Sequence, residues 1–348
     1  MSTCPLATRE AVKAALDIAK TSRANWQIDG ALTAGTEAIE GELHRTIRPY
    51  YATHTFDWPK PFTPTRTWQL WLDNRELISV TSMTAGGVTL TPSQYLPDPP
   101  SGPPFTGIQA NVNTLGSFPL GSTWQRNISI TGLYGYQNDE TAAPGPLTAG
   151  VSASDTSILI SNGAKVGVGD LLRIDSEYLI TTERDWVVAS ATLTGALTES
   201  QAGRAVTVTD GTAFHRGELI AVDTETMWVT DITGNTLTVR RAWDGSLLAA
   251  HSNGAAVYAS RSLTVTRAAR GSTAATHSNG TTIWRHVPPG LIERATIGHA
   301  LLIMGAEQSG YQQTAGAGET TTQWTATGIG YIRTAARAAH GRVARFRT

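Results

Sequence analysis

The sequence predicts an α+β protein. Its two ends supply a helical bundle with a small β region, and an all-β domain built from repeats is inserted between them. Three observations carry this. Ile158–Glu183 (ILISNGAKVGVGDLLRIDSEYLITTE) aligns without a gap on Val206–Asp231 (VTVTDGTAFHRGELIAVDTETMWVTD), 48 residues further on. Gly163 then matches Gly211, Gly169 matches Gly217, Asp175 matches Asp223 and Glu177 matches Glu225. A second repeat relates Leu237–Gly254 to Leu263–Gly280 at a spacing of 26, and both copies end in the tetrad HSNG. Repeats at a fixed offset mark supersecondary units that stack on one another. The third observation is apolar spacing of three and four residues at both chain ends, the period of a helix with one buried face.

The elements follow in order. Thr8 is placed to cap a helix over Arg9–Lys20, with Glu10 in the first turn, where the helix dipole favours an acid. A longer helix runs over Arg23–Arg45, with Ile28, Leu32, Gly35, Ile39 and Leu43 on one face, and Pro49 closes the segment. From Tyr51 to Gln137 the pattern turns to strands. Trp68, Leu70 and Leu72 alternate with polar or wide neighbours, Leu77–Thr81 and Val88–Leu90 flank Gly86-Gly87, and Ile128–Thr131 alternates cleanly. The proline-rich Tyr95–Phe105 reads as a loop or edge. Thr141–Pro146 reads as a linker into the repeats, and everything from Val151 to His286 reads as β. Helix resumes behind Pro288-Pro289, since proline suits a first helical turn. Leu291, Ala295, Gly298, Leu302 and Ala306 keep helical spacing. Ser309–Gly328 is rich in Gly, Thr and Gln and reads as a connector. A last helix, Ile329–Phe346, carries a run of arginines with no acid after Glu319.

Composition bounds the function. The chain has 348 residues and a formal net charge of −1, with charged residues at 16%. Nucleic-acid binding over a whole surface needs clustered Lys and Arg, so near-neutrality argues against it. One cysteine, Cys4, leaves no intramolecular disulfide and fits a reducing compartment. The N-terminal MSTCPLATRE has neither the basic nor the apolar region of a signal peptide, and no apolar run is long enough to span a bilayer.

With the repeats set aside, Tyr136 leads directly to Val287. The remaining order is a short helix (Thr8–Ile18), a long helix ending in Glu40–Tyr50 (EGELHRTIRPY), the strand segment Leu77–Met83, the end Tyr134-Gly135-Tyr136, and Val287–Ala295 before the penultimate helix. This order resembles the head-to-tail connector, or adaptor, proteins of long-tailed bacteriophages. The resemblance divides the chain into an adaptor domain of residues 1–140 and 287–348 and an inserted all-β repeat domain of residues 147–286. It implies a structural protein of the virion neck, assembled from the host cytoplasm as a ring, a dodecamer, with no catalysis, cofactor or membrane contact. The implied partners are further copies of the chain, the portal protein, a stopper, tail terminator or tail-tube protein, and double-stranded DNA in transit. DNA carries roughly one charge per 1.7 Å, so a nearly neutral channel would let it pass without gripping it. The resemblance assigns portal docking to Arg333, Arg337, Arg342, Arg345, Phe346 and Arg347. The helical spacing assigns subunit packing to Ile28, Leu32, Ile39, Leu43, Leu291 and Leu302.

Other residues invite sharper readings. Asp175/Glu177 and Asp223/Glu225 each place two carboxylates on one strand face, which suits a hard cation, but no third ligand lies near and turn roles are preferred. His251 and His277 sit in the HSNG turns, and with one cysteine in the chain a zinc site lacks ligands. The tryptophans Trp68, Trp71, Trp124, Trp228 and Trp284 are expected in cores or interfaces, although aromatic faces also stack on sugars. A tail-associated or decorating protein whose repeats bind host glycans is therefore the alternative. The motifs G-x-S-x-G, H-E-x-x-H and G-x-x-x-x-G-K-[ST] are absent, so an enzyme is not expected.

Overall fold

The computed structural model describes residues 4–16, 24–59, 67–308, 314–315, 322–323 and 327–342. It corrects the expected fold class. Among the described residues the protein is mostly β, with seventeen strands in three sheets besides the short pair Thr314–Ala315 and Thr322–Gln323, and it is only 23% helical. It is not a helical bundle with a small β region. The helical periodicity was present at both ends, but the strands between Tyr50 and Tyr134 are short and broken by prolines and glycines, which hid how much of that region pairs.

The helices form a layer. Helix α1 (Arg9–Ala15) is capped by the Thr8 hydroxyl, which accepts from the Ala11 N–H at 3.1 Å. Helix α2 (Asn25–Leu43) ends where His44 enters the left-handed region at φ 52° and its N–H turns back to carbonyls of the last turn. Helices α3 (Gly290–Gln308) and α4 (Thr327–His340) come from the other chain end and pack on α2. Gly35 lets α2 and α3 approach, since a β-carbon there would stand 3.1 Å from the Thr296 carbonyl. Ile28, Leu32, Ile39, Leu43 and Ile292 are almost wholly buried in this layer. Each contributes roughly 1.5–3 kcal/mol of hydrophobic stabilisation.

Seven strands follow α2. They are β1 (Tyr50–Phe56), β2 (Gln69–Trp71), β3 (Leu77–Ala85), β4 (Val88–Leu90), β5 (Tyr95–Asp98), β6 (Gly107–Ala110) and β7 (Ile128–Tyr134). One sheet has the order β1-β7-β3-β4 and the other β2-β6-β5. The proline-rich segment supplies β5 at an edge, where a missing N–H breaks no ladder. The two sheets share a core around Leu72, Leu77, Met83, Ile108, Ile130 and Tyr134.

The repeats form the third sheet. Its strands are β8 (Glu140–Thr141), β9 (Ser157–Leu159), β10 (Leu171–Ile174), β11 (Glu177–Thr192), β12 (Ala205–Thr207), β13 (Leu219–Val222), β14 (Glu225–Thr233), β15 (Thr236–Arg240), β16 (Ala256–Thr266) and β17 (Ile283–His286). The segment read as a linker is partly paired, because β8 joins the sheet edge at β17 and Pro146 bridges Thr282.

The two sequence repeats prove to be halves of one unit. In unit 2, β12 pairs β15, β15 pairs β14, β14 pairs β13, and β13 pairs the first half of β16. In unit 1, β9 pairs the second half of β16, which pairs the first half of β11, and β11 pairs β10, which pairs β17. The patterns superpose. A residue before the hairpin of unit 1 matches unit 2 at +48, and one after it matches at −26. Ile158, Leu172, Leu179, Leu263 and Ile283 thus correspond to Val206, Ile220, Met227, Leu237 and Val257, and all ten are core residues of their own unit. In unit 2 a tight turn at Gly234-Asn235 joins β14 to β15. In unit 1 the whole of unit 2 stands in place of that turn.

Candidate functional site

Three groups of residues are built up by this fold. The first recurs in both units. Asp175 opens the two-residue turn between β10 and β11, and Asp223 opens its counterpart between β13 and β14, each at φ 51°. Two residues later Glu177 and Glu225 point inward with fully buried side chains. Glu177 accepts from Arg267 Nε and Nη2 at 2.7 Å each, from the Ala268 and Ala275 N–H groups at 3.0 Å, and from His277 Nε2 at 2.9 Å. His277 Nδ1 reaches Asp175 at 2.8 Å. In unit 2 the same places are held by Glu225, Arg241, Ala242, Ala249, His251 and Asp223.

Both ring nitrogens of His277, and both of His251, thus face a carboxylate oxygen. Burial pushes the Glu177 carboxyl up, but the Arg267 fork, the Ala268 N–H, His277 and the Ala275 N–H outweigh it and bring it down to about 2. The same balance lowers Glu225. The guanidinium occupies the place a cation would take, and every oxygen of the buried glutamates is engaged. Among the described residues no group of three or more His, Cys, Asp or Glu is arranged to hold a metal ion. These two side-chain tetrads, Asp175–Glu177–Arg267–His277 and Asp223–Glu225–Arg241–His251, pin the strand hairpin to the HSNG turn. Sequence reasoning singled out the acids and the histidines separately and missed Arg241 and Arg267, although they too stand 26 apart within the second repeat.

The second group joins the repeats to the rest of the chain. Arg48 is buried and donates to the Pro5 carbonyl at 3.1 Å, to the His286 carbonyl at 3.3 Å and to His286 Nδ1 at 3.2 Å. Arginine has no acceptor, so His286 Nδ1 accepts and its Nε2–H donates to the Gln137 carbonyl at 3.1 Å. Burial, with the charge of Arg48 beside it, lowers His286 to about 3. Arg9 of α1 holds Asp29 of α2 and Glu183 of β11 together, at 2.6 and 2.9 Å. Lys13 pairs with Asp244 of unit 2 at 2.6 Å, and Arg270 of unit 1 donates to the Arg48 and Pro49 carbonyls.

The third group is the helical layer, where most of the expected docking and packing residues fall. Arg333 pairs with Glu42 of α2 at 2.8 Å, and Arg342 donates to Asn74 Oδ1 at 3.0 Å. Arg337 is exposed, enters no ion pair among the described residues, and lines a groove between α2 and α4 with Glu42, His44 and Thr334. Arg345, Phe346 and Arg347 lie outside the described residues. Ile28, Leu32, Ile39 and Leu43 are buried within the single chain, whereas Leu291 is 36% exposed and Leu302 half-buried. Trp26 and Tyr331, which the sequence did not single out, are the exposed aromatics of the layer at 73% and 78%. Tyr136, two residues beyond β7, bonds to His340 Nδ1 of α4 at 3.1 Å and lies under Arg45, 4.4 Å from its ring. Of the five tryptophans expected in cores or interfaces, Trp124 is 36% exposed and the other four are half-buried.

Comparison with known proteins finds no family model, no curated protein and no solved structure that matches this chain. No helix among the described residues is long and apolar enough to cross a membrane.

Proposed function

We propose that the chain is a structural protein of the neck of a long-tailed phage: a head-to-tail adaptor that forms a ring between portal and tail and surrounds the DNA channel. One observation carries the reading. The repeats leave and re-enter the chain at a single point, where the Val287 N–H donates to the Asp139 carbonyl at 2.8 Å and β8 pairs β17. The segments on either side, with helices from both ends in one layer, are thereby continuous in space, as the order of the resemblance requires. The joint through Arg9, Arg48 and Arg270 supports a part that bears load rather than one that opens and closes. In this reading the repeats stand on the outside of the ring, and the layer of α2 and α4 turns towards the portal.

Arg337 is the docking residue to test. Helix α4 belongs to the chain's own core through Ala336 and Tyr136, so deleting it would also damage the fold. Arg337→Glu leaves that core intact. Purified protein should form rings that cap portal in negative-stain images, and the variant should form rings that do not cap. Monomers that never associate with themselves or with portal would refute the assignment.

A further inference from the structure

The two units present the same face in different states. In unit 1 the face of Leu171, Tyr178, Ile180 and Ala269 is buried against Cys4, Leu133 and Tyr51. The same positions in unit 2 are Leu219, Thr226, Trp228 and Trp243. Here the face is only partly covered: Trp243 is buried, Leu219 and Trp228 are half-buried, and Arg240 lies 5.9 and 5.6 Å from the Trp228 and Trp243 ring centroids. Leu219, Trp228 and Trp243 form one wall of a cleft of about 340 Å³, with α1 and the 164–170 loop of unit 1 across it. Two positions that are aliphatic or small in unit 1, Ile180 and Ala269, are Trp228 and Trp243 in unit 2. Their rings lie 5.0 Å apart, and the Trp228 indole N–H is already given to the Gly217 carbonyl at 3.2 Å, so what it has left to offer is its ring.

The polar part of the cleft is incompletely paired, although Arg184 Nη2 already donates to the Gly163 and Ser260 carbonyls and Glu10 accepts from the Val168 N–H. Arg184 and Arg285 both line it, and each has a buried Nε without a hydrogen-bond partner. Their facing carboxylates stand off at 3.7 Å: Glu10 from Arg184 Nη1, and Asp170 from Arg285 Nη1. The Arg184 side chain is only 9% exposed. Burial raises the carboxyls of Glu10 and Glu293, which complete this part of the lining.

We propose that the cleft binds one ring of a neutral saccharide, with Trp228, backed by the buried Trp243, against the ring and Arg184, Arg285, Glu10 and Glu293 on its hydroxyls. A hydroxyl both donates and accepts, so it can bridge a guanidinium and a carboxyl that stand too far apart to bond directly. A ligand with net charge would meet a like charge on one side of this mixed lining. The volume lies in the range of small-molecule sites, roughly 300–1,000 Å³. A stable protein partner covers about 800 Å² on each side, which a concavity of this size does not offer. The proposal is independent of the adaptor reading, and either can fail without the other.

The test uses the full chain and the methyl glycosides of glucose, galactose, mannose and N-acetylglucosamine, followed by calorimetry and intrinsic tryptophan fluorescence. At least one should bind saturably. Trp228→Ala and Arg285→Gln should each weaken it by about tenfold or more. Trp228→Phe, which keeps a ring, should weaken it less, and Trp26→Ala in the helical layer should leave it unchanged. All variants are compared at matched thermal midpoints, and Arg285→Gln decides the outcome should Trp228→Ala fail to fold. Absence of binding by all four glycosides up to their solubility overturns the proposal. So does binding unaffected by Arg285→Gln, tighter binding of glucuronate or glucosamine than of glucose, or loss of self-association in Trp228→Ala without any glycoside effect.

Discussion

Arg270 and Asp244 occupy the same position in two copies of one unit, and through each its copy meets a different part of the rest of the chain. Both sit in a short turn after the last strand of the hairpin, at φ 54° and 55°. Arg270 donates to the carbonyls of Arg48 and Pro49, and Asp244 accepts from Lys13. The unit thus has a docking turn whose chemistry was changed between copies to suit different neighbours. Lys13 is 9% exposed, so loss of its partner leaves a largely buried ammonium. Asp244→Ala should therefore destabilise by about 1–3 kcal/mol, and Lys13→Met in the same chain should restore most of that loss. Urea unfolding of the four proteins of this cycle measures it. Simple addition of the two single effects would show that the contact does not hold unit 2 in place.

The buried tetrads make a sharper demand. Arg241 and Glu225 have no exposed side-chain surface, and Glu225 takes five hydrogen bonds. Arg241→Met leaves a buried carboxylate facing only His251 and two N–H groups. Such a break costs about 3–5 kcal/mol. The loss should fall on unit 2 alone, so hydrogen exchange should speed up in β12 to β15 while β9 and β10 stay protected. Uniform acceleration through both units would mean that they unfold as one.

Acid should unfold the protein in two stages. His286 has a folded value of about 3 against an ordinary 6.5. The unfolded chain therefore takes up its proton first. The stability that neutral His286 supplies is complete above pH 6.5 and drains away as pH falls towards 3. Glu177, at about 2 against 4.5, supplies stability that is complete above pH 4.5 and is lost as pH falls towards 2. Each group adds a slope of about 1.4 kcal/mol per pH unit inside its window. Burial also lowers His54, His299 and His340, which act in the same direction as His286. His286→Gln can accept from Arg48 and donate to Gln137. It should therefore fold, and it should lose about one proton of slope between pH 6.5 and 4.5 while keeping the steeper loss below. A variant with an unaltered upper arm would show that His286 does not stay neutral in the folded state.

The helices were legible because their signals are local. Thr8, the spacing from Ile28 to Leu43, and Pro288-Pro289 each act within a few residues of the element they define. The sheets were less so. Strands such as β2 and β6 have three or four residues, and they gain stability only from partners far away in sequence, which no local pattern reports. The repeat was visible but its meaning was not. Two offsets of opposite sign look like two separate duplications until the pairing of β16 with both units shows one unit placed inside the other. The tetrads were hidden for a similar reason. Glu177 and His277 are 100 residues apart, and only the fold brings His277 and Arg267 together onto Glu177.

That nesting leads to a prediction about unit 2 itself. Its ends are the second half of β11 and the first half of β16, which pair through Val187 with Ala259 and Thr192 with Ala256. Its core, from Ala189 to Ala259, is drawn from its own residues. A segment with paired ends and a private core meets the requirements for independent folding. Residues 187–259 should therefore give a cooperative thermal transition and β-type circular dichroism when expressed alone. The same logic makes the Gly234-Asn235 turn the place where unit 2 can accept what unit 1 has already accepted. A small folded domain with adjacent termini, inserted between these two residues, should leave the melting of the host within about 1 kcal/mol, because longer loops add closure entropy only slowly. The same domain inserted in the Asp223-Thr224 turn should unfold unit 2, because Asp223 and Glu225 belong to the tetrad. Equal tolerance at both turns would show that the tetrad does not hold the hairpin, and would remove the physical basis for one unit having grown out of the other.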